Sequence, residues 1–182
     1  MKTKISAILL SVALLGPAVA QENPMVGGAP MFASKTIVEN AVNSKDHTTL
    51  VAAVQAAGLV ETLQSPGPFT VFAPVNDAFA ALPDGTVETL LKPENKDMLV
   101  KVLTAHVVAG NLSGAEIMRR AKAAPDGFFH MQTVSGDALS AQVKGRNLYL
   151  IDEQGNASKV TIADVNQSNG VIHVVNAVLV PR

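Results

Sequence analysis

The chain has 182 residues, 48% of them hydrophobic, no cysteine, and 14 Lys+Arg against 15 Asp+Glu. Without thiols there are no disulfides, cysteine nucleophiles, thiolate metal sites or cysteine-linked lipid anchors, and the near balance of charge excludes a strongly basic nucleic-acid binder. Stability has to come from packed apolar side chains, and the length suits one domain.

In chain order, Lys2 and Lys4 precede an apolar run from Ile5 to Leu15, and Ala18, Val19 and Ala20 follow as a small-residue cleavage signature. Residues 1–20 therefore read as a signal peptide cleaved near Ala20/Gln21, giving a secreted or periplasmic protein. No later stretch reaches the roughly 18 uninterrupted apolar residues of a membrane span. Cleavage removes two of the 14 Lys+Arg, leaving 12 against 15 Asp+Glu and a charge of −3.

Residues 21–33 carry Pro24, Gly27, Gly28 and Pro30 and show no periodicity, so a flexible leader is expected, removable without unfolding the rest. Met25 and Met31 suit a soft Cu(I) site in principle, but without a neighbouring His or Cys they read as packing residues.

Helices with explicit caps come next. Thr36 with Glu39 and Ser113 with Glu116 have capping-box spacing, and Asp46 is placed to cap a helix beginning near Thr48. In that helix Leu50, Val51, Val54 and Ala57 recur at helical spacing and Gly58 supplies the stop; a short helix through Leu59, Val60 and Leu63 follows. His47, beside Asp46, is expected at the surface. The run Pro68 to Phe79 predicts a short strand broken at Pro74, then a helix capped by Asn76 or Asp77 that contains Phe79 and Leu82. Pro93 opens the longest predicted helix, with Met98, Leu99, Val102, Leu103 and His106 on one face. Arg119, Arg120 and Lys122 complement the carboxyl end of a later helix.

Beyond Gln132 the period becomes that of strands. Leu139, Ala141 and Val143 alternate, Leu148 and Leu150 resume after a turn, and Val160 and Ile162 flank Thr161. Asn169-Gly170 predicts a tight turn, and Val171 to Val180, apolar on both faces, predicts a central buried strand. The fold class is α+β, helices first and an antiparallel meander after.

Three blocks resemble the fasciclin (FAS1) family: TVFAPVNDAF at Thr70 to Phe79, LTAHVVAG at Leu103 to Gly110, and GVIHVVNAVLVP at Gly170 to Pro181. The resemblance spans about residues 34–182 and implies a wedge of antiparallel strands covered by N-terminal helices. It implies an extracellular module that adheres to a cell-surface or matrix protein or glycan, without catalytic residues, cofactor or metal. Its structural signature falls on Thr70, Phe72, Pro74, Asn76, Phe79, His106, Asn169, Gly170 and His173. Where the family usually has Tyr before His, this chain has Ala105. Animal members associate an Asp-Ile pair with integrin binding, and Asp164-Val165 stands in the matching position, making it the candidate partner-binding site. The local pattern alone reads Asp164 as bonding turn amides.

Sharper chemistry has little support in the residues. H-E-x-x-H, G-x-S-x-G and the P-loop are missing, and the four histidines have no metal-ligand spacing. DEQGNASK from Asp152 lacks the glycine and the bidentate Glu of a calcium loop and reads as a polar turn. A spatial triad such as His106 with Asp164 and a serine is a matter for three dimensions. The alternative function is carriage of a small apolar ligand or lipid, with the adjacent Phe128, Phe129 and Met131 as the apolar lining, against their reading as loop anchors. Asn-x-Ser sequons begin at Asn111, Asn156 and Asn166.

Overall fold

The computed structural model describes residues 23–181, so the expected signal peptide lies outside the described residues. At the centre are two strands whose sequences are apolar on both faces, β3 (Phe69–Pro74) and β9 (Gly170–Val175), paired in parallel from Phe69↔Gly170 to Pro74↔Val175. A parallel pair needs both faces covered, which the continuous FTVFAP and GVIHVV runs satisfy. Around it the sheet is antiparallel, in the order β4-β3-β9-β8-β7-β6-β5, with β4 Val107–Ala109, β5 Phe128–Gln132, β6 Ala138–Lys144, β7 Asn147–Ile151 and β8 Ala157–Gln167. The α+β architecture is thus that of the sequence, with one parallel pair added at its centre.

One face of β3–β9 presents Val71, Ala73, Ile172 and Val174 to the helices α1 (Ile37–Ala41), α2 (Thr48–Ala57), α3 (Val60–Gln64), α4 (Asn76–Ala80), α5 (Thr86–Leu90) and α6 (Lys96–Thr104). The other face sends Phe72 and Val175 into a second cluster with Ile117 of α7 (Gly114–Ala123) and with Leu139, Ala141, Leu148 and Leu150. Those last four are the inward half of the alternation along β6 and β7, as a one-sided sheet requires.

The leader is a correction. Residues 23–33 are not a flexible extension: β1 (Met25–Val26) and β2 (Ala29–Pro30) pair as a hairpin, and Val26 and Met31 are buried in the helix-side cluster. The hairpin turns on Gly27 and Gly28, both at positive φ, and a side chain at Gly27 would collide with Ser44 and the backbone of Lys45 and Asp46. What looked like breakers are the turn residues of a docked element. Met31 is therefore a packing residue, while Met25 is exposed.

Other boundaries shift for local reasons. The last strand ends at Val175 and not at Val180, because Asn176 turns the chain by exchanging bonds with Lys159, its N–H donating to the Lys159 carbonyl and its Oδ1 accepting the Lys159 N–H. Pro93 opens a 3-10 turn, Pro93–Asn95, that leads into α6; Met98 on that helix is exposed, and His106 lies just past its end. Asp46 makes no cap for α2; the cap comes from Asn76, described below.

Candidate functional site

The signature residues converge on the β3–β9 seam. Thr70 is fully buried and ties the loop between β4 and α7 to β3, its Oγ1 donating to the Gly110 carbonyl at 2.7 Å and accepting the Leu112 N–H at 2.9 Å. Phe72 stacks on His173 across the parallel pair, ring centroids 5.6 Å apart. His173 donates from Nε2 to the Leu112 carbonyl at 2.8 Å and accepts the Asp164 N–H on Nδ1 at 3.2 Å. His106 has the opposite tautomer: Nδ1 donates to the Val102 carbonyl at 2.8 Å and Nε2 accepts the Leu179 N–H at 2.8 Å. Each tautomer follows from its partners, since a carbonyl only accepts and an N–H only donates.

Burial holds both rings neutral. Desolvation lowers the pKa of His106 to about 4 and lowers that of His173, against the smaller opposing pull of their backbone acceptors. An imidazole with both nitrogens bonded to backbone has no lone pair for a substrate proton or a metal ion. His106 and Asp164 do not meet in a triad: the Asp164 contact is made by His173, through backbone N–H, and the carboxylate points elsewhere.

The remaining signature residues act as pins. Asn76 does not cap its own helix; its Oδ1 accepts from Thr49 N–H at 3.0 Å and Thr48 Oγ1 at 3.2 Å while Nδ2 donates to the Lys45 carbonyl at 2.8 Å, so it caps α2 from across the fold. Pro74 ends β3 just before it, and Phe79 packs into the helix-side cluster. Asn169 joins three segments, accepting from Ile37 N–H and donating to the carbonyls of Leu63 and Ser65. Gly170 is required by proximity and not by a left-handed turn: a Cβ there would stand 2.1 Å from the Phe69 carbonyl oxygen. The turn itself is Ser168-Asn169, one residue earlier than expected.

The Asp164-Val165 pair needs correcting. Val165 is fully buried in the core and presents nothing to a partner. Asp164 is exposed, but it stays within β8 at a bulge, with φ 60°, and its Oδ1 accepts the Gly114 N–H at 2.7 Å at the start of α7. Ser113 caps the same helix through Glu116 N–H. Asp164→Ala is expected to cost about 1–3 kcal/mol, by loss of a cap and by forcing a left-handed conformation on alanine. Asp164→Asn, which keeps the acceptor and tolerates that conformation, should stay near wild type in urea unfolding.

Other candidates resolve just as locally. Asp152 is saturated by the N–H groups of Gln154, Asn156 and Val180 and by Asn156 Nδ2, the bonding of a turn and not of a calcium loop. Phe128, Phe129 and Met131 lie on β5, not in a loop; Met131 enters the second cluster, Phe129 packs against it, and Arg120 lies over the Phe129 ring. Arg119 and Arg120 both pair with Glu116, a carboxylate they hold below its usual range. Asp126, His130 and Ser140 align in the order of a hydrolase triad, with 2.8 Å on each side of the imidazole, but the His130 side chain is 62% exposed on open strand surface. A charge relay there is solvated rather than shielded. Ala105, in the place of the family tyrosine, is buried beside Leu139 and Leu179 at a gap of about 10 Å³, too small for a ring. The asparagines of the three sequons are exposed. Among the described residues no group of three His, Asp or Glu side chains is placed to hold a metal ion.

Sequence reasoning missed His47. It is 3% exposed, not at the surface as expected, with Nδ1 2.8 Å from Ser44 Oγ. The signal was present, since His47 stands three and seven residues before the buried Leu50 and Val54, on the same helix face. Desolvation lowers its pKa; the Ala73 carbonyl opposes that shift, yet Nε2 makes no hydrogen bond of good geometry. Also unforeseen is Asn40, fully buried, which bonds Phe32 through both N–H and carbonyl and reaches Gln167.

A family model for the Fasciclin domain matches residues 45–181. The chain belongs to the fasciclin domain family. It is 46% identical over 171 residues to Protein sll1483 of Synechocystis sp., covering 94% of this chain and 87% of the relative. It is 35% identical over 146 residues to transforming growth factor-beta-induced protein ig-h3 of Sus scrofa, covering 80% of this chain but 19% of that much longer protein. Its fold is similar to that of a FAS1 domain pair from the insect cell adhesion molecule fasciclin I, with a TM-score of 0.71 at 15% identity, covering 80% of this chain and 50% of that one. The residues that the sequence resemblance marked form the seam above, and in this chain they hold β3, β9 and the start of α7 together.

Proposed function

We propose that this fasciclin domain is exported and works by adhesion or partner contact, as a non-catalytic module facing a cell-surface or matrix protein or glycan. The observation that carries the reading is the full use of the signature by the fold: His106, His173, Asn76, Asn169 and Thr70 all direct their polar atoms at backbone groups. The family, and its use in an insect cell adhesion molecule, supply the class of function. Export is supported by the amino-terminal sequence of residues 1–20.

The test is saturable retention of cells or matrix extract on the immobilised domain beginning at Gln21, with Asp164→Asn beside wild type. Retention that saturates and is lost when the domain is heat-unfolded is the expected result. A partner that reads the exposed Asp164 charge binds the variant less at unchanged stability; equal binding moves the contact to another face. Absence of saturable retention on any surface or matrix preparation contradicts the reading.

A further inference from the structure

Between the helical layer and the β3–β9 face lies a cavity of about 110 Å³. Val71 and Ile172 contribute to its sheet side, Leu50 and Val54 of α2 to its helix side, and Val26 and Met31 of the hairpin to its end. Close-packed interiors rarely hold voids much larger than a water molecule. Apolar cavities of about this size stay dry and take up small apolar molecules. The wall includes no charged side chain. Exposed Gln55 and Thr62 belong to its border, so it reaches the surface between α2 and α3.

The wall also includes His47, the buried imidazole whose Nε2 makes no hydrogen bond of good geometry even though the Ala73 carbonyl of the same wall acts on the ring, together with Ser44, which holds its other nitrogen. Buried polar atoms are nearly always paired, so an orphan on the wall of an apolar cavity is a point where a ligand atom fits. Because the Ser44–His47 contact is compatible with either tautomer, Nε2 is either a donor or an acceptor, and a hydroxyl satisfies both cases.

We propose that this cavity binds a small, uncharged, largely apolar molecule, about one aromatic ring or a short alkyl chain in size, whose hydroxyl bonds His47 Nε2. The site is separate from the Phe128–Phe129–Met131 strand where the sequence placed an apolar lining, and its wall is built mainly of buried side chains. A ligand here bridges hairpin, helices and sheet, and so stabilises the element that closes the cavity.

The probes are benzene, phenol and benzoate, titrated at pH 7 into the chain beginning at Gln21 and followed by methyl NMR. Saturable shifts are expected at Val26, Leu50, Val54, Val71 and Ile172, with phenol binding about five- to tenfold tighter than benzene, the worth of one hydrogen bond. Benzoate should bind weakest, because its charge meets no partner. In His47→Leu the advantage of phenol over benzene is expected to vanish while benzene still binds. If that variant does not fold, the ¹⁵N resonance of His47 Nε2 in the wild type gives the same answer, moving with phenol and not with benzene. Unsaturable shifts, shifts centred on Leu139, Leu148 and Leu150, or phenol equal to benzene with Nε2 unmoved would overturn the proposal.

Discussion

A chain that begins at Ser34 is expected to melt roughly 10 °C or more below one that begins at Gln21. The shortened chain loses Val26 and Met31, buried at 5% and 2% exposure. Burying a side chain of that size contributes about 1.5–3 kcal/mol, so the pair accounts for about 3–6 kcal/mol. It also leaves Asn40 without its two bonds to Phe32 and Lys45 N–H without the Gly27 carbonyl, and opens the cavity that the hairpin closes. For a domain of this length each kcal/mol moves the melting temperature by about 2–4 °C. Met31→Ala alone should cost about 2–5 kcal/mol, the usual range for a buried methionine. Thermal melts followed by circular dichroism decide the matter: curves within about three degrees of each other return residues 21–33 to the status of a loose leader.

Acid is expected to weaken the fold well above the range where carboxylates titrate. His106 has an unfolded pKa of 6.5 and a folded one of about 4. The folded state therefore binds its proton less readily than the unfolded chain. Its stabilising contribution is complete above pH 6.5 and is lost as the pH falls towards 4, amounting to about 3 kcal/mol at 1.36 kcal/mol per pH unit. His47 and His173, also lowered by burial, act in the same direction. The surface carboxylates Glu39, Glu116 and Asp126, the second of them half-buried, are lowered as well, by hydrogen bonds, so their loss comes at more acid pH. His106→Asn removes the titrating group, so urea unfolding should show a shallower fall between pH 6.5 and 4 than in wild type, from a lower starting point. Parallel pH profiles for the two proteins would contradict the assignment.

The sequence carried the elements better than it carried their docking. Capping at Thr36 and Ser113, the stop at Gly58 and the inward alternation of Leu139, Ala141, Leu148 and Leu150 are short-range signals, and each is found where the spacing put it. What failed depended on distant partners. Asn76 looks like a cap for its own helix until α2 arrives beside it, and Asp164-Val165 looks like a surface pair until the bulge in β8 turns Val165 inward. The leader failed because Gly27, Gly28 and Pro30 read as breakers, whereas a two-residue hairpin docks through Val26 on one arm and Met31 just after the other. Of the candidate site, His106 and His173 were readable as structural because each shares a face with apolar neighbours, whereas His47, beside Asp46, was not. The parallel β3–β9 pair, which sets Phe72 on His173, joins segments about a hundred residues apart and has no local signature.

The central claim, that the fasciclin signature holds the fold together and leaves function to contact, turns on the state of its two histidines. Long-range ¹H–¹⁵N correlation of the imidazoles at pH 7 tests it most directly. His106 is expected to be neutral with its proton on Nδ1 and unchanged down to about pH 5, and His173 neutral with its proton on Nε2, as burial and backbone bonding dictate. A charged ring at pH 7, or a proton exchanging between the two nitrogens of either histidine, would mean that the group is free for chemistry and would contradict the account.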